Sequence, residues 1–284
     1  MPEEPKKNVF RCETLINNWY EERAIREAII EGYLVKKQQS DQKAALLAAE
    51  QHNLTAPVAL TKGKLVCNND NLLVINHNQR PLSISVDPRY TSREYESAFI
   101  TSLSAEIGAG NRHVFTIERV KSLVQNKFGT RSDMQQTDDP CIRFGERFIL
   151  TAQQSMIDFL KNGKFAGQKF VLGCPKTMTG GQCPLILGQY KELGFAAEFM
   201  LEPFQASERL EKQGQTVHYD DIVLLRHCAS GQCIGSHPDG PKKEIMDFKI
   251  EEFQVQCKSY LNVHKHEDQC NCITLTVGGD GDEE

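Results

Sequence analysis

The stretch Thr216–His237 reads TVHYDDIVLLRHCASGQCIGSH, and its apolar residues Val217, Tyr219, Val223 and Leu225 fall at alternating positions. A turn signal, Ala229–Gly231, then precedes a second short apolar pair. Alternation followed by a Ser-Gly breaker is typical of a β-hairpin in a barrel or a sandwich. The stretch therefore predicts a β-rich fold.

The first part of this stretch occurs twice more in the chain, in a degenerate form. The three versions start at Val66, Ile142 and Val217, so the intervals are 142 − 66 = 76 and 217 − 142 = 75 residues. In each version an Asn, Gly or Asp stands three positions on, then an acid, then a run of large apolar residues. Because the interval is nearly constant, we interpret the three versions as one structural unit used three times. The alternative is that a permissive strand pattern recurs by chance.

Three short β units are the number that a β-trefoil needs, in which three lobes close a barrel and remove the sheet edges. We therefore predict a mainly β protein with an α-helical N-terminal arm, whose three repeats form a β-trefoil-like barrel with helical and loop insertions. The predicted domains are the extension and arm over residues 1–57, the β-trefoil-like domain over residues 58–277, and an acidic disordered tail over residues 278–284. The repeats start near residues 65, 141 and 216.

The start of each repeat predicts a turn with a structural role. Its Asn, Gly or Asp can adopt a positive φ where a strand bends. The acid that follows can accept backbone N–H hydrogen bonds inside the bend. The turn residues are Asp70 in the first repeat, Gly145 and Glu146 in the second, and Tyr219, Asp220 and Asp221 in the third.

Composition narrows the class of protein. The 284 residues are 39% hydrophobic and 25% charged, which is ordinary for a soluble globular protein. The net charge of −5 argues against a general nucleic-acid binder, since such proteins need a clustered basic surface. No segment is long and apolar enough to span a membrane, and the first ten residues lack an apolar signal core. We expect a cytosolic protein, or one built into a cytosolic structure, with neither nucleic acid nor membrane as partner.

The leading fifty residues predict a helical arm. Asn17 or Asn18 is a suitable N-cap for a helix that starts at about Tyr20. An apolar stripe at helical spacing follows, from Ala24 to Ile29, and it either packs on the protein's own barrel or lies in a groove of a partner. In the second interpretation Trp19, the only tryptophan, is the natural anchor.

Two elements inside the β domain are also predicted from periodicity. Four apolar residues recur on one face of the segment Ser92–Glu106, which predicts a helix there. Segment Phe195–Met200 is predicted to be a strand that leads towards the third repeat.

The sequence contains none of the common catalytic signatures, neither a nucleophile motif nor a cofactor-binding glycine loop. Asp220 and Asp221 are adjacent acids, but their repeat position assigns them to a turn. His218 and His227 lie near Cys228 in sequence, and sequence proximity alone does not create a reactive pair. We predict that the protein is not an enzyme and needs no cofactor.

Ten cysteines without a secretory signal are expected to be reduced thiols. None of the local pairs has the C-x-x-C spacing of a zinc knuckle, so we predict no metal and leave zinc as an alternative that chelation would reveal. The pairs are Cys174 with Cys183, Cys228 with Cys233, and Cys270 with Cys272 beside His264 and His266.

The stretch Thr216–His237 resembles the MIR-type trefoil repeat, through its turn at Tyr219–Asp221, its strand end at Leu225–His227 and its Ser-Gly hairpin. From Leu15 to Val277 the order of features is similar to that of the cilia- and flagella-associated protein 161 family. The matching segments are Leu15–Glu22, Arg112–Val120, Ile142–Glu146, Phe195–Pro203 and Leu225–Cys228. The first repeat departs from the pattern, with Asn68-Asn69 in place of an aromatic-Gly pair, and the third has Asp220 for Gly.

This resemblance implies a structural microtubule inner protein on the luminal wall of the A-tubule of ciliary and flagellar doublet microtubules, where it stabilises the axoneme and supports motility. The implied partners are α- and β-tubulin and neighbouring inner proteins. We expect the arm around Arg11, Trp19 and Tyr20, together with the inserted loops, to contact them. The alternative function is a soluble lectin-like or ligand-binding β-trefoil module, in which Tyr219 could be a sugar platform; Phe144 and Asn68 at the equivalent positions do not preserve it.

Overall fold

A computed structural model describes residues 15–78, 80–91, 97–120, 139–160, 165, 167–175, 183–236, 242–245, 250–264 and 266–277 of the chain. The chain divides into two compact units, residues 1–51 and residues 52–284. None of the helices in these residues combines the length and the hydropathy needed to cross a membrane.

A single long helix, α1 (Leu15–Thr55), contains 41 residues. It begins before Asn17 and Asn18, so the prediction that one of them is the N-cap is wrong. Once a helix is nucleated, each added residue gains a backbone hydrogen bond, and a long run of good helix formers therefore extends it in both directions. The same cooperativity carries the helix through Gly32, whose cost relative to alanine is about 1 kcal/mol. The helix ends just before Pro57, as expected from the clash of proline with a preceding α-helical residue.

The second unit is built from antiparallel strands. The first eight are β1 (Asn71–Asn76), β2 (Leu82–Thr91), β3 (Phe99–Ser104), β4 (Val114–Arg119), β5 (Arg147–Ala152), β6 (Phe170–Gly173), β7 (Cys183–Pro184) and β8 (Ile186–Gln189). The remaining seven are β9 (Phe199–Pro203), β10 (Val223–His227), β11 (Ile234–Gly235), β12 (Lys242–Ile245), β13 (Ile250–Gln254), β14 (Gln256–Cys257) and β15 (Cys272–Thr276). Three short helices connect them: α2 (Gln154–Leu160), α3 (Tyr190–Leu193) and α4 (Arg209–Lys212).

Twelve of these strands form one large sheet in the order β12-β13-β3-β2-β1-β15-β10-β9-β5-β6-β8, with β4 joining β1 to β5. Strand β8 also pairs with β3, so the strands from β3 to β8 in this order form a closed circuit. A closed circuit of this kind removes free sheet edges along its path. The strands β11, β14 and β7 form a separate small sheet. The prediction of a mainly β protein with an N-terminal helix is confirmed.

The three repeat starts contact one another in a ring of backbone hydrogen bonds. The N–H of Val66 donates to the carbonyl of Val217 (2.9 Å), that of Ile142 donates to Val66 (2.8 Å), and that of Val217 donates to Ile142 (3.1 Å). All three side chains are fully buried. Isolated β-bridges flank the ring, Leu65 with His218, Cys67 with Cys141, and Arg143 with Thr216. Each repeat is therefore bonded to both of the others.

The turn that follows each repeat start has the same backbone geometry in all three repeats. Asn69, Gly145 and Asp220 have φ angles of 70°, 82° and 62°. Positive φ is uncommon outside glycine and is tolerated best by Asn and Asp, which is why these three residue types alternate at one position. Strands β1, β5 and β10 begin shortly after these turns.

The acid in each turn caps the backbone of its own repeat. Asp70 accepts from the N–H of Cys67 (2.6 Å), Glu146 from that of Arg143 (3.1 Å), and Asp221 from that of His218 (3.2 Å). Asp70 has a second partner, the phenol of Tyr219 from the third repeat (2.6 Å). Burial and the Asp70 carboxylate raise the pKa of Tyr219, so this phenol stays protonated and donates.

We expect the substitution Asp70→Ala to cost about 2–3 kcal/mol of unfolding free energy, because it leaves both the Cys67 N–H and the buried Tyr219 phenol without an acceptor. The matched change in the third repeat, Asp221→Ala, removes one bond at a half-exposed turn and should cost less than about 1 kcal/mol. Urea titration of both variants measures the difference. Equal costs would contradict the cross-repeat role of Asp70.

Two predicted elements differ from the structure. Within Ser92–Glu106, where a helix was expected, Phe99–Ser104 is strand β3, and residues 92–96 lie outside the described part. Side chains on both faces of β3 are buried between β2 and its other neighbours, so the strand lacks the polar-apolar alternation that would reveal it in the sequence. The strand predicted at Phe195–Met200 starts instead at Phe199, after a 3₁₀ turn that opens at Gly194 with a φ of 52°.

Candidate functional site

The middle of helix α1 presents an exposed apolar surface. Every side chain from Glu21 to Ala49 is exposed. Eight of them are large and apolar, with exposed fractions between 41% and 67%: Ile25, Ile29, Ile30, Tyr33, Leu34, Val35, Leu46 and Leu47. We call these eight residues the arm surface. Exposed apolar side chains gathered on one element are a mark of a binding site for a partner.

The arm surface is wider than the sequence analysis predicted. The expected stripe contributes Ile25 and Ile29, while the segment from Ile30 to Val35 and the Leu46-Leu47 pair were missed. The signal that could have revealed them is the run of consecutive apolar residues, which no single amphipathic face accommodates. Trp19 and Tyr20 lie in the first turns of α1, and Arg11 lies outside the described residues. Their predicted contact with a partner stays a prediction.

A cleft of about 540 Å³ lies on the second unit, beside a network of ion pairs. Glu267 lines the cleft, accepts from Arg209 (2.7 Å) and from Arg226 (3.2 Å), and Arg226 also binds Glu202 (2.7 Å). Burial tends to raise the pKa of Glu267, but its hydrogen bonds with Arg209, a backbone N–H and Arg226, together with the charge of Arg209, outweigh burial and lower the pKa. The lining residues are Phe204, Gln205, Ala206, Ser207, Asn262, His266, Glu267, Asp268 and Gln269.

A cluster of two thiols and one imidazole lies in the interior, and no sequence pattern predicts it. The sulfur atoms of Cys174 and Cys257 and a ring nitrogen of His227 are all within 4.8 Å of one another. Cys174 follows β6, His227 ends β10 and Cys257 ends β14, and none of the three is more than 5% exposed. In the described part of the chain this is the one group of three or more His, Cys, Asp or Glu side chains with such a geometry. Nine described cysteines are free thiols.

The groups in this cluster perturb one another's protonation. Burial raises the pKa of Cys174 well above its usual value. Hydrogen bonds from Cys174, and then from His227 and Ser230, outweigh burial at Cys257 and lower the pKa of its thiol to about 5. Burial opposes the protonated form of His227, yet the hydrogen bond and charge of Cys257, the Ala196 carbonyl and the charge of Cys183 together outweigh burial and raise the pKa of the ring. Of the cysteines paired in the sequence analysis, Cys174 belongs to this group, whereas the pair Cys228 and Cys233 does not.

The fold and the arm surface define a mainly β protein that carries a long helix with exposed apolar side chains. The sequence model of the cilia- and flagella-associated protein 161-like domain matches residues 109–278, which is more than half of the chain. The chain therefore belongs to this cilia- and flagella-associated family, as the sequence resemblance indicated. A curated relative, cilia- and flagella-associated protein 161 of Danio rerio, is 21% identical over 274 residues, which cover 90% of this chain and 84% of that protein.

Several solved structures resemble this chain distantly. One is the S. cerevisiae protein O-mannosyltransferase Pmt1-Pmt2 complex bound to its sugar donor, with a TM-score of 0.48 and 12% identity over 77% of this chain. This chain spans about a quarter of that one, 26% of its length. Another is a Caenorhabditis elegans protein of unknown function, with a TM-score of 0.46 and 10% identity over 76% of this chain and 98% of that one. A third is the SDF2-like protein from Arabidopsis thaliana, with a TM-score of 0.41 and 11% identity over 75% of this chain and 94% of that one. The family assignment rests on none of them.

Proposed function

We propose that this protein is a structural microtubule inner protein. It binds the luminal wall of the A-tubule of ciliary and flagellar doublet microtubules, stabilises the axoneme and supports motility. Its partners are α- and β-tubulin and neighbouring inner proteins. The observation that carries the proposal is the match of residues 109–278 to a cilia- and flagella-associated family.

The arm surface supports a role in binding partners, which requires no catalytic reaction. A partner groove that covers one exposed isoleucine or leucine gains about 1.5–3 kcal/mol from its burial. Acids and bases are mixed along the described helix and include the pairs Arg23 with Glu27 and Arg26 with Glu22. Such an arm suits a mixed apolar and polar interface better than a purely electrostatic one. On a periodic microtubule wall, several modest contacts add through multivalency.

We also propose that the second unit is a β-trefoil-like barrel of three MIR-like repeats. The ring of hydrogen bonds among Val66, Ile142 and Val217 supports this arrangement, since it relates the three repeat starts cyclically. The three positive-φ turns and the closed circuit of strand pairings support it as well. A scaffold of this kind offers three lobes with unequal insertions as contact surfaces.

The proposal is tested by extracting detergent-stripped axonemes with high salt and following the protein by immunoblot. An inner protein stays with the doublets, because the tubule wall shields it from exchange. An antibody epitope at the C-terminus should then be masked in intact doublets and become accessible after the tubules are opened. Release with the membrane-and-matrix or first salt fraction would overturn the proposal.

Removing residues 1–50 should lower incorporation into doublets strongly. A finer variant, Ile25→Gln/Ile29→Gln/Tyr33→Gln, keeps helix propensity while removing three apolar contacts, and we expect at least a tenfold loss of incorporation. The control Gln38→Ala/Gln42→Ala changes polar side chains of the same helix and should incorporate like the wild type. Normal incorporation of both the truncated and the triple variant would show that the arm makes no essential contact.

The cleft beside Glu267 favours the second candidate, a lectin-like or ligand-binding module, because about 540 Å³ is enough for a small molecule or a sugar unit. This candidate predicts that the isolated protein binds glycans in an array or by calorimetry. It also predicts that the protein leaves the axoneme in the first salt fraction.

A further inference from the structure

We infer that Cys174, Cys183, Cys257 and His227 bind one structural Zn²⁺ ion inside the second unit. The inference rests on the interior geometry of that unit and is independent of the proposed role in the axoneme. It replaces the expectation from sequence that the protein binds no metal.

Three of the four ligands are already gathered. Zinc with thiolate ligands is tetrahedral, and Zn–S bonds of about 2.3 Å place the ligand atoms about 3.7 Å apart. The ligand atoms of Cys174, His227 and Cys257 lie within 4.8 Å of one another, so contraction by about an ångström brings them to this distance. Side-chain motions of this size need no change of the backbone.

Strand pairing supplies the fourth ligand. Cys183 is the direct partner of Cys257 in the antiparallel pairing of β7 with β14. Directly opposed residues point to the same side of a sheet, with their Cβ atoms about 5 Å apart. The Cys183 thiol is also 2.9 Å from the carbonyl of Pro175, the residue after Cys174, and it interacts with the Cys174 thiol. The complete set is three sulfurs and one imidazole nitrogen, the Cys₃His combination of structural zinc sites.

The hydrogen bonds of His227 orient its Nδ1 towards the thiols, and the metal would take the place of the Ser230 hydroxyl on this nitrogen. Its Nε2 lies 2.9 Å from the carbonyl oxygen of Ala196, and a carbonyl can only accept, so Nε2 carries a hydrogen. Its Nδ1 lies 2.8 Å from the Ser230 hydroxyl, which is itself 3.3 Å from the Cys257 sulfur. Nδ1 therefore faces the thiols. A ligating histidine that donates its other N–H to a backbone carbonyl is the usual arrangement at a metal site, and it fixes the ring orientation.

The donor set selects the metal. Thiolates are soft ligands that prefer zinc, copper(I) or iron–sulfur clusters, and a tetrahedral set of sulfur with imidazole favours zinc. On binding, Zn²⁺ displaces the remaining protons of the three thiols and any proton on Nδ1, and these protons go to solvent. No oxidant or reductant is needed. The ion would join β10 and the end of β6, in the large sheet, to β7 and β14 in the small sheet.

The test uses the full chain, purified under reducing conditions, incubated with zinc chloride and dialysed. Mass spectrometry of metals should find about one zinc per chain in the wild type. The variants Cys174→Ser, Cys257→Ser and His227→Ala should retain less than about a fifth of that. The control variants Cys228→Ser and Cys272→Ser, outside the cluster, should keep the full stoichiometry.

A second measurement keeps the inference testable where a ligand variant fails to fold. Cobalt(II) in place of zinc in the wild-type chain should give the visible d–d and sulfur-to-metal charge-transfer bands of a tetrahedral thiolate site. Chelation should lower the melting temperature of the zinc-loaded wild type, and added zinc should restore it. Folded wild-type protein without stoichiometric zinc would overturn the inference. So would a Cys174–Cys257 disulfide that persists under reducing conditions, or copper or iron in place of zinc.

Discussion

Replacement of Glu252 by glutamine is expected to cost about 3–5 kcal/mol of unfolding free energy, the typical cost of removing one partner from a buried ion pair. The side chains of Arg112 and Glu252 are 0% and 2% exposed and form a salt bridge. Glu252 also accepts from the hydroxyl of Ser102 (2.6 Å), and Arg112 donates to that of Ser85 (3.3 Å). Without the carboxylate, the positively charged guanidinium of Arg112 stays buried beside a neutral amide.

The position of Arg112 explains why the structure cannot relax around this change. The backbone N–H of Arg112 donates to the carbonyl of Leu54 (3.1 Å), and its own carbonyl accepts from Val86 on β2 (2.9 Å). Glu252 lies on β13, where it pairs with Ser104 of β3. The backbones of both charged residues are therefore held in place by neighbouring segments, which limits how far either side chain can move from the interior.

Urea denaturation of Glu252→Gln, Arg112→Met and the double variant measures the effect. The double variant should be more stable than Glu252→Gln alone, since it removes the buried guanidinium together with the carboxylate that neutralised it. The control is Glu208→Gln, which breaks the surface pair of Glu208 with Lys212 and should cost less than about 1 kcal/mol. A cost below 1 kcal/mol for Glu252→Gln would contradict the assignment of a paired charge in the interior.

The second large loss of unfolding free energy is expected when Asn271, which is fully buried, is replaced. Its amide nitrogen donates to the carbonyls of Ile234 (3.0 Å) and Lys258 (2.8 Å), and its oxygen accepts from the N–H of Tyr260 (2.6 Å). One side chain therefore satisfies three backbone groups from two separate segments. Gly235 allows this approach, because a Cβ there would lie 2.4 Å from the amide nitrogen of Asn271.

We expect Asn271→Ala to cost about 3–5 kcal/mol, since each buried backbone group left unpaired costs about 1–3 kcal/mol and the bonds share one side chain. Asn262→Ala is the matched control, because Asn262 is exposed and caps only the N–H groups of His264 and His266 within its own loop. The control should cost less than about 1 kcal/mol. Guanidinium denaturation measures the unfolding free energy of the two variants. Equal losses would show that Asn271 does not hold the two backbone segments together.

The features that the sequence determined are those encoded within a few consecutive residues. Positive φ demands Asn, Gly or Asp, and a turn needs an acid to cap it, so Gly145 and Glu146 and their counterparts in the other repeats could be found by pattern. Helix α1 was predictable for the same local reason, although its start was not. The exposed isoleucines at 25 and 29 were also visible in the pattern as one part of the arm surface.

Only the tertiary structure decided which distant residues meet. Arg112 and Glu252 are 140 residues apart in sequence, and Cys174 and Cys257 come together because two different sheets bring their ends to one place. Strand β3 could not be recognised because burial on both faces removes alternation, so its neighbours in the sheet, and not its own pattern, make it a strand. Local patterns encode turns and helices because those bonds close within a few residues. Strand order decides the buried ion pair, the hydrogen bonds of Asn271 to two segments, and the cluster of thiols and imidazole. No local sequence pattern contains strand order.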